Sequence, residues 1–185
     1  MNPSPPEPKA SAASTACLWI AQGLGAGRLH PGPGTWGSVV GVLLTLVLLA
    51  FPGPIPYLAA TALLVLVSIP VCSHAEKILG ETDPGSVVLD EIVAMPIAFS
   101  GYAVHWWLAG SSPSLGQIRY WWPALVVSFV LFRIFDIWKP WPIRRLQSFH
   151  GGLGIVLDDI AAALVSAALL GLGTVVLFYT RLATA

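Results

Sequence analysis

Charge is scarce in this sequence. Of its 185 residues only 10% are Asp, Glu, Lys or Arg, where a soluble domain carries about 25%. Nine basic and nine acidic side chains cancel, so there is no basic face for nucleic acid and no net charge to steer a partner. Cysteine is nearly absent. Cys17 and Cys72 stand apart, each without a Cys or His at ligand spacing, which excludes a disulfide scaffold and a structural zinc. No Gly-Lys-Ser/Thr follows a glycine run, so nucleotide binding is not implied. The four histidines, His30, His74, His105 and His150, form no cluster. What is abundant is apolar surface, at 56% of residues. That composition excludes a disordered chain and an ordinary cytosolic globule, and leaves a small integral membrane protein of one domain.

Residues 1–16, rich in Pro, Ala and Ser, read as a disordered tail ahead of a membrane-embedded domain at 17–185. Ser14-Thr15-Ala16-Cys17 has the outline of a lipoprotein cleavage box. The stretch before it lacks the apolar run a signal peptide needs. Five apolar runs follow, at Val39–Phe51, Ile55–Cys72, Ile92–Ala109, Tyr120–Trp138 and Ile160–Tyr179. A crossing helix needs roughly 20 residues, and the last four runs meet or approach that length. Pro52-Gly53-Pro54 breaks the chain between the first two runs, which are two crossings or one re-entrant hairpin. The expected fold is an all-α polytopic bundle with glycine-rich loops on the cytoplasmic side.

With the N-terminus inside, Lys9, Arg28, Lys77, Arg133, Lys139, Arg144 and Arg145 are cytoplasmic, against Arg119 and Arg181 outside. That excess fits the positive-inside bias. The acids are more one-sided. Glu7, Glu76, Glu81, Asp83, Asp90, Glu91, Asp136, Asp158 and Asp159 all fall inside. Acidic residues contribute little to topology, so function is the better cause. His105, beside Trp106-Trp107, falls on the outer side and reads as an interfacial residue. His150 reads as a solvated loop residue.

Four polar regions carry the candidate chemistry. Gly23–Ser38 is a glycine-rich stretch ahead of a helix expected to start near Ser38. Its amides, with the hydroxyls of Thr35 and Ser38, suit an anion; a plain turn with a capping hydroxyl is the equal alternative. Asp90-Glu91 opens one apolar helix, and Asp158-Asp159, after Gly151-Gly152-Leu153-Gly154, opens another. A single carboxylate would complement a helix dipole. Two adjacent ones point about 100° apart and cannot both face water around a buried helix. Arg133, Asp136 and Lys139 recur at three-residue spacing and share a helical face. Ionisable groups at a membrane helix are expensive and usually functional. Gathered at one depth, these acids repel unless cations neutralise them. Oxygen-only ligation suits Mg²⁺, or Mn²⁺ in its place. Divalent metal, Arg/Lys and carboxylates together form a phosphate-handling set, and a site at the membrane surface points to a lipid headgroup. Attack by metal-activated water and an aspartyl-phosphate route both remain open. The rival reading from another class is a transporter or channel with the acids as a cation site. That would place charge near the bilayer midplane rather than at one end.

Pro33-Gly34-Thr35-Trp36-Gly37-Ser38, Asp83-Pro84-Gly85 with Asp90-Glu91-Ile92-Val93, Phe132 through Ile143, and Gly151 through Asp159 together resemble the phosphatidylglycerophosphatase A family. The resemblance runs from about Gly23 to Ala163, in the family's order. It implies a Mg²⁺-dependent, multi-pass bacterial inner-membrane enzyme with its site facing the cytoplasm. Such an enzyme removes the terminal phosphate of phosphatidylglycerophosphate to leave phosphatidylglycerol. The resemblance also implies that Asp90, Glu91, Asp136, Asp158 and Asp159 hold the metal. It makes Glu91, Asp136, Asp158 and Asp159 catalytic, and Thr35, Ser38, Arg133 and Lys139 the phosphate-binding set. The chain departs from the family pattern at Ala94 and Ala162-Ala163, where small residues are kept, and at His150, where a basic residue is common.

Overall fold

The computed structural model describes residues 11–51, 53–111, 113 and 115–184. Most of the expected tail, residues 1–10, lies outside the described residues. The described residues form seven α-helices: α1 Ala12–Ala21, α2 Pro33–Leu48, α3 Pro54–Leu79, α4 Leu89–Leu108, α5 Ile118–Trp138, the single turn α6 Ile143–Leu146, and α7 Gly152–Ala183. There is no strand among the described residues. Residues 12–16, placed in the tail by composition, form the first part of α1, which Ser11 caps by accepting the Ser14 N–H at 3.1 Å.

Among the described residues, three helices are long and apolar enough to cross a membrane: α3, α5 and α7 over Gly152–Thr180. Their apolar side chains point outward. Leu63, Leu66 and Val67 of α3, Val126 and Val130 of α5, and Leu164, Leu172 and Val176 of α7 are all exposed. A water-soluble chain could not leave so much apolar surface uncovered. The fourth expected span differs. α4 has the length but is less apolar, because protein rather than lipid surrounds it. It packs against α2, α3, α5 and α7, and nine of its residues from Asp90 to Ala103 are buried. At 16 residues, α2 spans about 24 Å, short of the roughly 30 Å of hydrocarbon.

Small residues let α4 and α7 approach closely. A Cβ on Gly101 would overlap the Ala167 carbonyl, and one on Gly171 would lie 3.2 Å from the Gly101 carbonyl oxygen. Ala94, Ala98, Ala162 and Ala163 are fully buried at the same seam, as expected where backbone proximity drives membrane helix packing. The other end of α4 is filled with rings. Phe99 lies 5.7 Å from Trp121, Tyr57 5.3 Å from Trp107, and His105 5.5 Å from Phe178. The buried Tyr57 hydroxyl donates to the Pro96 carbonyl at 2.7 Å. α4 and α7 begin, and α5 ends, away from that aromatic end. The antiparallel run of helices therefore brings every Asp and Glu among the described residues to the opposite end.

Candidate active site

Four helix ends build the polar end: the starts of α2, α4 and α7 and the finish of α5. The turn Gly23–Arg28 fixes the start of α4. Gly23 and Gly25 take left-handed φ of 57° and 103°, which few other residues adopt. A Cβ on Gly27 would overlap the Ser86 carbonyl. The Val88 N–H donates to the Ala21 carbonyl at 2.9 Å, Gln22 Nε2 donates to Ser86 Oγ at 3.2 Å, and Arg28 Nε donates to Gln22 Oε1 at 2.8 Å. These glycines serve close packing against the α3–α4 loop. α2 starts at Pro33, not near Ser38, since proline in the first turn forfeits no helical hydrogen bond. Gly34 and Gly37 thus lie inside the helix. A Cβ on Gly34 would overlap Glu91 Oε1, and one on Gly37 would sit 3.2 Å from Glu91 Oε2 and 2.7 Å from Val88 Cβ. The two glycines make the slot that holds the Glu91 carboxylate against α2.

Two cations thread the acids. Arg133 Nη1 lies 2.6 Å from Asp136 Oδ2, 3.6 Å from Glu91 Oε1 and 3.4 Å from Ser38 Oγ. Ser38 donates its own hydroxyl proton to the Gly34 carbonyl at 2.9 Å. Lys139 closes α5 in a left-handed conformation, φ 43°, ahead of Pro140. That bend carries its Nζ to 2.5 Å from Asp158 Oδ2 and 3.8 Å from Asp136 Oδ1. Burial opposes the Lys139 ammonium. The hydrogen bond with Asp158 and the charges of Asp158, Asp159 and Asp136 outweigh it and hold its pKa above the usual lysine range.

Five carboxylates therefore share two cations, and Asp90, Asp136, Asp158 and Asp159 are buried. The shortfall is visible atom by atom. Asp90 Oδ1, Glu91 Oε2, Asp158 Oδ1 and Asp159 Oδ2 are buried with no hydrogen-bond partner. Asp90, Glu91 and Asp159 each offer an oxygen within 4.8 Å of the others. Buried carboxylates without partners are costly, and like charges this close raise the cost. The donor set is oxygen only and fits a hard divalent cation such as Mg²⁺.

A sequence model of the family described as phosphatidylglycerophosphatase A matches residues 19–174. The chain belongs to the phosphatidylglycerophosphatase A family. A relative of that name from Haemophilus influenzae is 38% identical over 146 residues, covering 78% of this chain and 80% of that protein. Another of that name from Escherichia coli K12 is 34% identical over 152 residues, covering 82% and 79%. No solved structure matches the chain. Membership makes this protein a phosphatase.

Within this chain, the expected site residues do not all play the same part. Asp90, Glu91 and Asp159 converge on one point, whereas Asp136 and Asp158 are engaged by Arg133 and Lys139. Asp136 still lies within side-chain reach of Asp159. Adjacent residues Asp158 and Asp159 are thus divided between a lysine and the acid cluster. They sit in the second turn of α7, which starts at Gly152 rather than at the acids, because Gly152 fits where a Cβ would overlap the Ile69 carbonyl of α3. Of the four expected phosphate ligands, Ser38, Arg133 and Lys139 join the cluster. Thr35 is exposed one turn earlier, with no side-chain bond to it among the described residues. His105 is at the aromatic end, and His150 is exposed in the α6–α7 loop. Sequence reasoning missed the slot made by Gly34 and Gly37. Their helical spacing, three residues from Gly34 to Gly37 and four more to Gly41, was the available signal.

Proposed function

We propose that this phosphatase hydrolyses the terminal phosphomonoester of phosphatidylglycerophosphate to phosphatidylglycerol, with Mg²⁺, at the cytoplasmic face of a bacterial inner membrane. One observation carries the reading. Four unpartnered buried carboxylate oxygens face two cations at one end of a membrane bundle. The names of the relatives support the substrate. The one-sided Lys and Arg support the orientation.

Asp90, Glu91 and Asp159 would hold the metal, which when bound polarises a phosphoryl oxygen and acidifies water. Arg133 and Lys139 bind the other phosphoryl oxygens and offset the charge that builds on them. Asp136 holds both cations, one on each oxygen, and is thereby occupied. That argues against Asp136 as a nucleophile, and in this reading water is the attacking group. The water oxygen bonds to phosphorus while the bond to the glycerol oxygen breaks. The free Asp158 Oδ1 takes the water proton, and the proton passes to the departing glycerol oxygen. Phosphate release from the purified protein on phosphatidylglycerophosphate, with Mg²⁺ or with chelator, tests this. Release only with Mg²⁺ is expected. Full release under chelator removes the metal from the account, and none under either condition removes the substrate.

A further inference from the structure

The segment that leaves α5 carries more cationic and aromatic surface than this chemistry uses. Trp138, Lys139, Pro140, Trp141, Arg144 and Arg145 line an open hollow of about 450 Å³. Its shape follows from one buried residue. Ile143 packs with Phe132, Ala162 and Ala163, so the two arginines after it are turned outward and are exposed. Neither arginine pairs with a carboxylate among the described residues. The Arg145 guanidinium lies 5.8 Å from the centre of the Trp141 ring, a contact that orients the fork. Trp138 and Trp141 are 71% and 74% exposed, as aromatic side chains at a headgroup boundary are. Lys139 belongs to both places: it lines this hollow and bonds Asp158.

We propose that this hollow holds the phosphodiester of the lipid substrate while the monoester lies among Arg133, Lys139 and the acids. The inference rests on the activity proposed above, since that substrate carries two phosphates joined by a glycerol. Two unpaired guanidiniums suit a singly charged diester through bidentate hydrogen bonds. The shared Lys139 sets the two anions side by side. The hollow would then select lipids bearing a second phosphate over simple monoesters.

Inhibition of phosphate release, measured in nonionic detergent micelles, tests this. Phosphatidylglycerol carries the diester alone; inorganic phosphate carries neither diester nor lipid. In the double variant Arg144→Gln/Arg145→Gln, the inhibition constant for phosphatidylglycerol should rise about tenfold more than that for inorganic phosphate, the loss of roughly one charged hydrogen bond. The pair Arg144→Lys/Arg145→Lys should recover part of the difference. Equal shifts for both inhibitors, or none, would overturn the subsite. If the wild-type protein releases no phosphate, the activity falls instead, and direct binding in the same micelles decides the hollow. Weaker binding of phosphatidylglycerol, with unchanged binding of diacylglycerol, supports the subsite; unchanged binding of both overturns it.

Discussion

The two ends of α4 solve opposite problems. At the aromatic end apolar contact dominates: rings interlock around Phe99 and Trp121, the Tyr57 hydroxyl finds the Pro96 carbonyl, and the buried atoms left without a partner are ring nitrogens of His105, Trp106 and Trp107 rather than carboxylate oxygens. At the polar end, small residues bring helices together so that buried carboxylates face one another with oxygens left over. The first arrangement stabilises a fold. The second destabilises it unless something positive arrives. The difference teaches that apolar packing and the candidate chemistry are separated along one helix, and that the metal proposed above would offset the charge repulsion at the polar end.

Substitutions at the two ends should therefore move stability and activity in different directions. The largest effect is expected for Asp159→Asn. Removing a ligand of the proposed metal should lower the rate of phosphate release about a thousandfold. The same change relieves repulsion between buried acids, so without metal the thermal unfolding midpoint should rise; a fall would break the comparison. Next is Phe99→Ala, which leaves a cavity among the rings. Stability should drop by about 3 kcal/mol, measured by unfolding in detergent, with the rate per folded molecule within about twofold of wild type because the site is untouched. Gly34→Ala pushes a methyl into the slot of Glu91. It should lower kcat/KM about tenfold and weaken Mg²⁺ dependence without unfolding the bundle. The smallest is Tyr57→Phe, which loses one buried hydrogen bond and should cost about 1 kcal/mol of stability with no change in rate.

Much of this division was legible in the residues. The one-sided acids followed from counting charges against apolar runs, and Asp136 between Arg133 and Lys139 followed from helical spacing. The candidate residues came from their spacing and one-sidedness, and the roles given to each came from the family resemblance. Three things were not legible. Periodicity does not say which helix covers which, so α4 read only as one more crossing, although protein encloses it. Glycine serves both left-handed turns and close approach, so Gly34 and Gly37 read as an anion loop, when they leave room for Glu91. Neighbours on a helix are interchangeable in a string of letters. Only the packing of α5 against α7 separates Asp158, which meets Lys139, from Asp159, which meets Asp90 and Glu91.

The central claim is that the unpartnered oxygens at the polar end hold a divalent cation. Titrating the purified protein with Mn²⁺ and following the free-ion signal by electron paramagnetic resonance tests it without any substrate. Saturable binding by the wild-type protein and by Phe99→Ala, lost in Asp159→Asn, is the predicted result. Binding by Asp159→Asn equal to wild type, or no saturable binding by the wild-type protein, would contradict it.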